Sequence, residues 1–310
     1  MKFVRRVRFV IIIGSLVMIV VAGGCGLVSG GSSQGVVFVD GMGREVTLDS
    51  DVERIVSLAP SSTEILFAIE AGELVVGRDD ISDYPPEVID VTSIGSTYGD
   101  LNTEAIIALE PDLVAAAMIN SPEHVEAIEQ LGVPVFVLPN PMTFPELYEI
   151  IEMAGEIVGR ESQAQALAEE MEGRVNAILA NLEGVESVSV YYEVDGMDPT
   201  APWTIGTTTF QDVLINLAGG VNIASDLEGY VTLSLEELVA RDPQVMVFSQ
   251  GPWVTTTADS VAERAGWGEI SAVANGEIYG IDANWIDRPG PRLVDALEAM
   301  AVILHPECLD

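Results

Sequence analysis

Two stretches of this 310-residue chain echo one another at a constant offset of 132, and that echo constrains the fold more than any other feature. Asn102-Thr103-Glu104-Ala105-Ile106-Ile107-Ala108-Leu109-Glu110-Pro111 is matched by Ser234-Leu235-Glu236-Glu237-Leu238-Val239-Ala240-Arg241-Asp242-Pro243. Asn and Ser are helix-capping residues, a glutamate follows two positions on, and proline stops each helix. Apolar runs come next, Leu113-Val114 and Val245-Met246, and read as buried strands. A capped helix leading through proline into a strand, used twice, implies two similar α/β lobes. The period is far too long for a solenoid.

The remaining pattern agrees. A hairpin is expected over 36–39 and 45–48, around Gly41-Met42-Gly43. Strands are expected at 54–58, 75–77, 113–117 and 133–138, alternating with helices at 64–69, 101–109 and 124–131. Alternation of this kind implies βαβ units and a largely parallel sheet. Thr143-Phe144-Pro145-Glu146 is a capping signature that opens a helix through about Val158. Gly159 interrupts it, and apolar residues at helical spacing then continue over 160–182, far beyond the ordinary helix of about 11–12 residues. A helix of this length midway along the chain is expected to be a rigid spacer. Strands at 188–194, 245–249 and 277–281 and helices at 210–218, 236–241 and 291–304 build the second half. The expected divisions are 1–24, 25–35, 36–159, 160–183 and 184–310.

The first two divisions are an export signal and a tether. Residues 1–8 are cationic, and 9–22 form an apolar run that would rise only about 21 Å as a helix, short of the ~30 Å hydrocarbon core. Ala22-Gly23-Gly24-Cys25 resembles the lipobox of bacterial-type lipoproteins, with Ala22 where Leu is usual. Cys25 is therefore the expected lipidated residue, and the alternative is an ordinary cleavable signal with an incidental cysteine. Gly30-Gly31-Ser32-Ser33-Gln34-Gly35 is flexible in composition and would hold a domain off a membrane surface. With Cys25 carrying lipid, Cys308 is a lone thiol.

Charge excludes one large class of partners. The chain has 49 acidic and 13 basic side chains, a net charge of −36. Four of the basic residues lie in the first eight positions, so no cationic cluster remains to bind nucleic acid. A 48% hydrophobic composition still supplies a substantial core. Metal binding through histidine is not expected, because only His124 and His305 are present. No Gly-x-Ser-x-Gly elbow, Walker loop or His-Glu-x-x-His occurs, so neither a catalytic residue nor a cofactor is expected. A secreted α/β hydrolase using one histidine is the remote alternative.

Several segments together resemble the helical-backbone class of ABC-transporter substrate-binding proteins. They are Arg54-Ile55-Val56-Ser57-Leu58-Ala59-Pro60-Ser61-Ser62-Thr63-Glu64, Ser82-Asp83-Tyr84-Pro85-Pro86, the 102–114 unit, Gly266-Trp267, 272–279, and Arg288-Pro289-Gly290-Pro291-Arg292. The resemblance covers nearly everything from 36 to 306. It implies an α/β fold of two Rossmann-like lobes bridged by a single long α-helix, with ligand held between the lobes. Within the class the chain is most similar to the cobalamin-binding members. Asn284-Trp285-Ile286-Asp287-Arg288 resembles their Asp-Trp-Phe-Glu-Arg segment, with Asn284 replacing the Asp, and Tyr98 stands where a Trp is usual.

The resemblance implies a monomer that captures a small molecule outside the membrane and delivers it to an ABC permease dimer with its ATPase subunits. A corrinoid (cobalamin) is the expected ligand, and a ferric siderophore or haem is the alternative. Tyr84, Tyr98, Trp203, Tyr230, Asn284, Trp285 and Arg288 are the expected ligand-binding residues. The aromatics are expected on loops, where α/β sites collect, and the competing reading of any one of them is core packing. Arg288 can fork onto amide or phosphate oxygens, or form a salt bridge instead, whereas Arg292 is assigned mostly to structure. Glu104 and Glu236 are the expected docking residues for permease arginines, one per lobe, and the competing reading is ordinary first-turn helix charge.

Overall fold

β-Branched runs between turn residues, and apolar stripes behind capped starts, set the local structure. The computed structural model of the protein describes residues 35–48, 52–251, 254 and 256–309. The expected export signal, Cys25, nearly all of the tether, and Trp253 lie outside the described residues. The first elements described form a two-stranded hairpin, β1 (Val36–Val39) and β2 (Glu45–Leu48).

The first large sheet contains β3 (Ile55–Ser57), β4 (Val75–Arg78), β5 (Thr92–Ser93), β6 (Leu113–Ala117) and β7 (Val135–Leu138). Its order is β5-β4-β3-β6-β7 and every pairing is parallel. Strands β3, β6 and β7 are buried along their whole length, as parallel strands covered on both faces must be. Helices α1 (Pro60–Ala68), α2 (Thr103–Ala108) and α3 (Pro122–Glu129) connect them. Helix α1 starts four residues before the expected 64, because Pro60 presets the first-turn φ and needs no amide partner there.

Next come α4 (Phe144–Val158) and α5 (Glu161–Asn181). Gly159 joins them in the left-handed conformation at φ 68°. A Cβ on Gly155 would meet the Ala164 Cβ at 2.4 Å, so this glycine is what lets the two helices close on each other. At its start α5 is tied to the first lobe, where Arg160 donates to the Glu70 carbonyl at 3.2 Å and to Glu73 at 2.6 Å. Further along, Arg174 reaches Asp295 at 2.6 Å and Glu298 at 3.0 Å.

The second large sheet contains β8 (Val188–Asp195), β9 (Trp203–Ile205), β10 (Gly220–Asn222), β11 (Tyr230–Thr232), β12 (Val245–Gln250) and β13 (Ile278–Asp282). Its order is β11-β9-β8-β12-β13, with β10 also on β8. Strands β8, β12, β13 and β10 are parallel, whereas β9 and β11 form an antiparallel edge. Helices α6 (Phe210–Leu217), α7 (Leu235–Arg241), α8 (Ala258–Ala262), α9 (Ser271–Asn275), α10 (Ala283–Ile286) and α11 (Leu293–Leu304) complete it. The sequence placed Trp203 and Tyr230 in loops, and this is corrected: both open three-residue strands, too short for alternation to register.

The internal echo survives in three dimensions. Asn102 caps α2 by accepting from the Ala105 amide at 3.1 Å, and Ser234 caps α7 by accepting from the Glu237 amide at 3.2 Å. Glu110 and Asp242, at matching positions, both take the left-handed conformation (φ 47° and 42°) before their prolines. Asp112 then accepts the Glu53 amide at 2.9 Å at the start of β3, and Gln244 accepts the Ser189 amide at 2.9 Å near the start of β8. One contiguous apolar cluster runs from Ile55, Leu113 and Phe136 through α4, α5 and α11 to Val190 and Val247. Phe144 of α4 meets Phe210 of α6 edge to face at 5.6 Å, a geometry that contributes about 0.5–1.5 kcal/mol beyond area burial.

Candidate functional site: an interlobe cleft

Carboxyl ends of parallel strands leave backbone groups and loop side chains pointing out of a sheet, and ligands collect there. In this protein the ends of β3, β6, β7 and β13 open onto one cleft of about 630 Å³. The first lobe lines it with Pro60 and Ser61 after β3, Met118 and Ile119 after β6, Asn140 after β7, and Ile81 and Tyr98 from neighbouring loops. The second lobe adds Ala283, Asn284, Asp287, Arg288 and Pro289 after β13, together with Val254. Met118, Ile119 and Tyr98 are 46%, 65% and 61% exposed, so a broad apolar wall stands open to solvent. Such a wall on an otherwise acidic surface marks a binding site.

Of the seven expected ligand contacts, Tyr98, Asn284 and Arg288 line this cleft. The other four are not among its lining residues. Tyr84 stacks on the Arg292 guanidinium at 3.9 Å. Trp203 stands exposed at the start of β9, and the Tyr230 hydroxyl donates to Gln211 at 3.4 Å. Trp285 packs against the main apolar cluster, because α10 turns adjacent residues in different directions and gives the cleft side to Asn284.

Arg288 and Arg292 carry the polar contact between lobes. Glu64 on α1 is 3% exposed and accepts from Arg292 Nε at 2.9 Å and Nη2 at 2.6 Å. Arg288 Nη1 lies 3.4 Å from Glu64 and donates to Asp83 at 2.6 Å, while its Nη2 donates to the Ile81 carbonyl at 3.2 Å. Burial raises the Glu64 pKa, opposed by the two arginines. Geometry of this kind makes a clamp, since removing one member strands the others in a low-dielectric interior.

The clamp rests on a chain of buried hydroxyls that joins two of the sequence segments. Thr63 Oγ1 donates to Ser57 Oγ at 2.8 Å and lies 2.9 Å from Ser82 Oγ, and Ser82 bonds Asp79. Asp79 is fully buried, which raises its pKa against these hydrogen bonds. The Ser/Thr-rich turn after β3 and the Ser82 turn are thus parts of one network.

Met118, Ile119 and Asp287 were not expected at the site. The first two follow a strand directly, and the carboxyl-end rule alone would have named them. Glu104 and Glu236 lie exposed in the first turns of α2 and α7, and neither is hydrogen-bonded among the described residues. Glu237, by contrast, is used in the Ser234 capping box. His124 Nε2 lies 2.8 Å from the Gly99 carbonyl, next to Tyr98, and His305 is buried at the end of α11. No cluster of metal-ligating side chains occurs among the described residues.

Comparison with known proteins accounts for this geometry. The chain matches the periplasmic binding protein family over residues 55–285. It is 34% identical to an ABC transporter substrate-binding lipoprotein of Bacillus subtilis, over 86% of this chain and 85% of that one. A cobalamin-binding protein of Halobacterium salinarum is 31% identical over 86% of this chain and 73% of its own. The solved haem-binding protein RhuT of Roseiflexus superposes with a TM-score of 0.74 at 28% identity, covering 83% of this chain and 99% of that one. The vitamin B12 binding protein of Vibrio cholerae superposes with a TM-score of 0.68 at 28% identity, covering 81% and 96%. A two-lobed α/β fold with a ligand-sized cleft, and a family match over most of its length, make this chain a member of the periplasmic binding protein family, the non-enzymatic, extracytoplasmic substrate-binding components of ABC transporters.

Proposed function

We propose that this protein captures a corrinoid, cobalamin or a close relative, and hands it to the permease dimer of its transporter. The carrying observation is the charge balance of the cleft. Among the described residues its single lining cation, Arg288, is already engaged by Glu64 and Asp83, and its single lining anion is Asp287. A corrinoid presents a wide macrocycle with apolar edges and a rim of neutral amides, suited to the Met118–Ile119 wall and to Asn140, Asn284 and Asp287. Haem brings two carboxylates and catecholate complexes bring more negative charge, for which no unpaired cation lines the cleft among the described residues. The cobalamin- and vitamin B12-binding relatives support the same choice.

A haem or ferric hydroxamate is the second reading, favoured by Tyr98 in the cleft, whose phenol can ligate iron, and by the likeness to RhuT. In either case residues 36–159 and 184–310 serve as the gripping lobes and 160–183 as the connector. Lipid on Cys25 holds a monomer at the membrane. Exposed Glu104 and Glu236 meet basic residues of the permease, which with its ATPase subunits does the energetic work. Titration of the purified mature protein with cyanocobalamin, haem and a ferric hydroxamate tests the ligand. Micromolar or tighter binding of cyanocobalamin is expected, and tight binding of an iron complex alone would overturn the choice.

A further inference from the structure

Asp287 is held in a way its packing role does not require. It caps the end of α10 and lines the cleft. Three neutral side chains hold it: Ser249 Oγ donates at 2.6 Å to Oδ2, Gln211 Nε2 donates at 3.1 Å to Oδ1, and the Tyr192 hydroxyl lies 2.7 Å from Ser249 Oγ and 3.3 Å from Oδ1. All three side chains are buried, so they keep one geometry. Among the described residues Asp287 forms no ion pair, because the adjacent Arg288 turns its guanidinium to Glu64 and Asp83. Solvent reaches the residue from the cleft, yet protein crowds it on the other sides, and that desolvation raises its pKa against the three hydrogen bonds.

The carboxylate stands at the cleft wall without a counter-charge and with solvent on one side. Its oxygens retain lone pairs that these hydrogen bonds do not use. The charge becomes favourable when a ligand supplies N–H groups there, since hydrogen bonds to an ionised acceptor are the stronger kind. The same charge opposes any ligand carboxylate brought to that point, and specificity often rests on such a repulsive element. We propose that Asp287 is a specificity-determining residue of the cleft, a pre-oriented acceptor that selects ligands presenting amide or cationic N–H and rejects ligands presenting carboxylate. This deepens the corrinoid reading and rests on the cleft being the ligand site.

Asp287→Asn keeps the shape and removes the charge. The test measures affinities of wild type and D287N at near-neutral pH for two matched pairs of probes. One pair is cyanocobalamin and its monocarboxylic acids, in which a single side-chain amide is hydrolysed, and the other is haem dimethyl ester and haem. Wild type is expected to prefer the uncharged member of each bound pair by about tenfold, and D287N to lower that preference to about threefold or less by gaining affinity for the acid. Binding of the porphyrin pair alone defeats the corrinoid reading and leaves that pair to read the selection. An undiminished preference in D287N, a wild type without preference, or binding of none of the four overturns the proposal. Should D287N fail to fold, Ser249→Ala leaves the charge and removes one orienting donor. It is expected to weaken binding of the uncharged probe severalfold while the preference persists, and an unchanged affinity with S249A counts against the assignment.

Discussion

The two lobes share one repeated unit yet build opposite walls of the cleft. In the first lobe, the strand of that unit, β6, leads into Met118 and Ile119, and among the described residues no charged side chain of this lobe lines the cleft. In the second lobe, the equivalent β12 ends in Ser249 and Gln250, and Ser249 orients Asp287. Among the described residues both charges that line the cleft, Asp287 and Arg288, come from this side. Equivalent scaffolds can therefore carry different chemistry, because the repeat specifies the helix, the turn and the strand but not the residues beyond the strand's end. A ligand with one apolar face and a rim of hydrogen-bonding groups suits such a groove.

The largest effect is expected where the second lobe reaches into the first. Glu64→Ala leaves the nearly buried Arg288 and Arg292 without their shared carboxylate, and a loss of about 3–5 kcal/mol is expected in urea unfolding. A change below about 1 kcal/mol would show that the clamp is not a unit. The apolar wall comes next. Ile119→Asp, at an exposed position that spares the fold, should weaken corrinoid binding by about 10–100-fold. Leu131→Asp, equally exposed but outside the cleft lining, should leave affinity unchanged, and equal losses from the two would dissolve the contrast between wall and surface.

The outer faces should behave alike where the inner walls do not. Charge reversal at both Glu104 and Glu236 is expected to reduce transport by about tenfold or more with ligand affinity intact, and each single reversal to do less. Normal uptake by the double variant refutes the docking assignment. Asn102→Ala and Ser234→Ala remove matching caps, and each should cost about 1 kcal/mol in thermal unfolding. A cost confined to one of them would mean that the repeat is equivalent in sequence but not in energy.

The smallest effect concerns pH. Asp287 has its pKa raised above the ordinary 3.8, so the folded state holds this proton more tightly than the unfolded chain does. Wild-type stability relative to D287N should therefore fall as pH rises above the ordinary value, and level off beyond the raised one. A relative stability that rises over that window contradicts the assigned environment.

Much of the fold was legible because its signals are local. Thr143 and Gly159 bound α4 as expected: a capping hydroxyl needs only an amide three residues ahead, and a glycine turn only its own φ. The strand bounds of β1, β2 and β6 also follow from short apolar runs between turns. The short strands β9 and β11 were not legible, since three residues hold no period and the two pair with each other across more than twenty residues. The site was legible only in part. Asn284 and Arg288 could be placed through their segment, but Trp285 between them could not be assigned to core or cleft without knowing how α10 turns.

By itself the sequence determined the two-lobed α/β architecture, the long central helix and the matching first-turn glutamates, all of which depend on periodicity, caps and an offset within one chain. Only the tertiary structure decided that Arg288 is engaged by the opposite lobe, that Met118 and Ile119 form the apolar wall, and that Asp287 stands oriented but unpaired. Burial, counter-charge and the direction of a side chain arise between segments far apart in the chain, and local sequence carries no record of them.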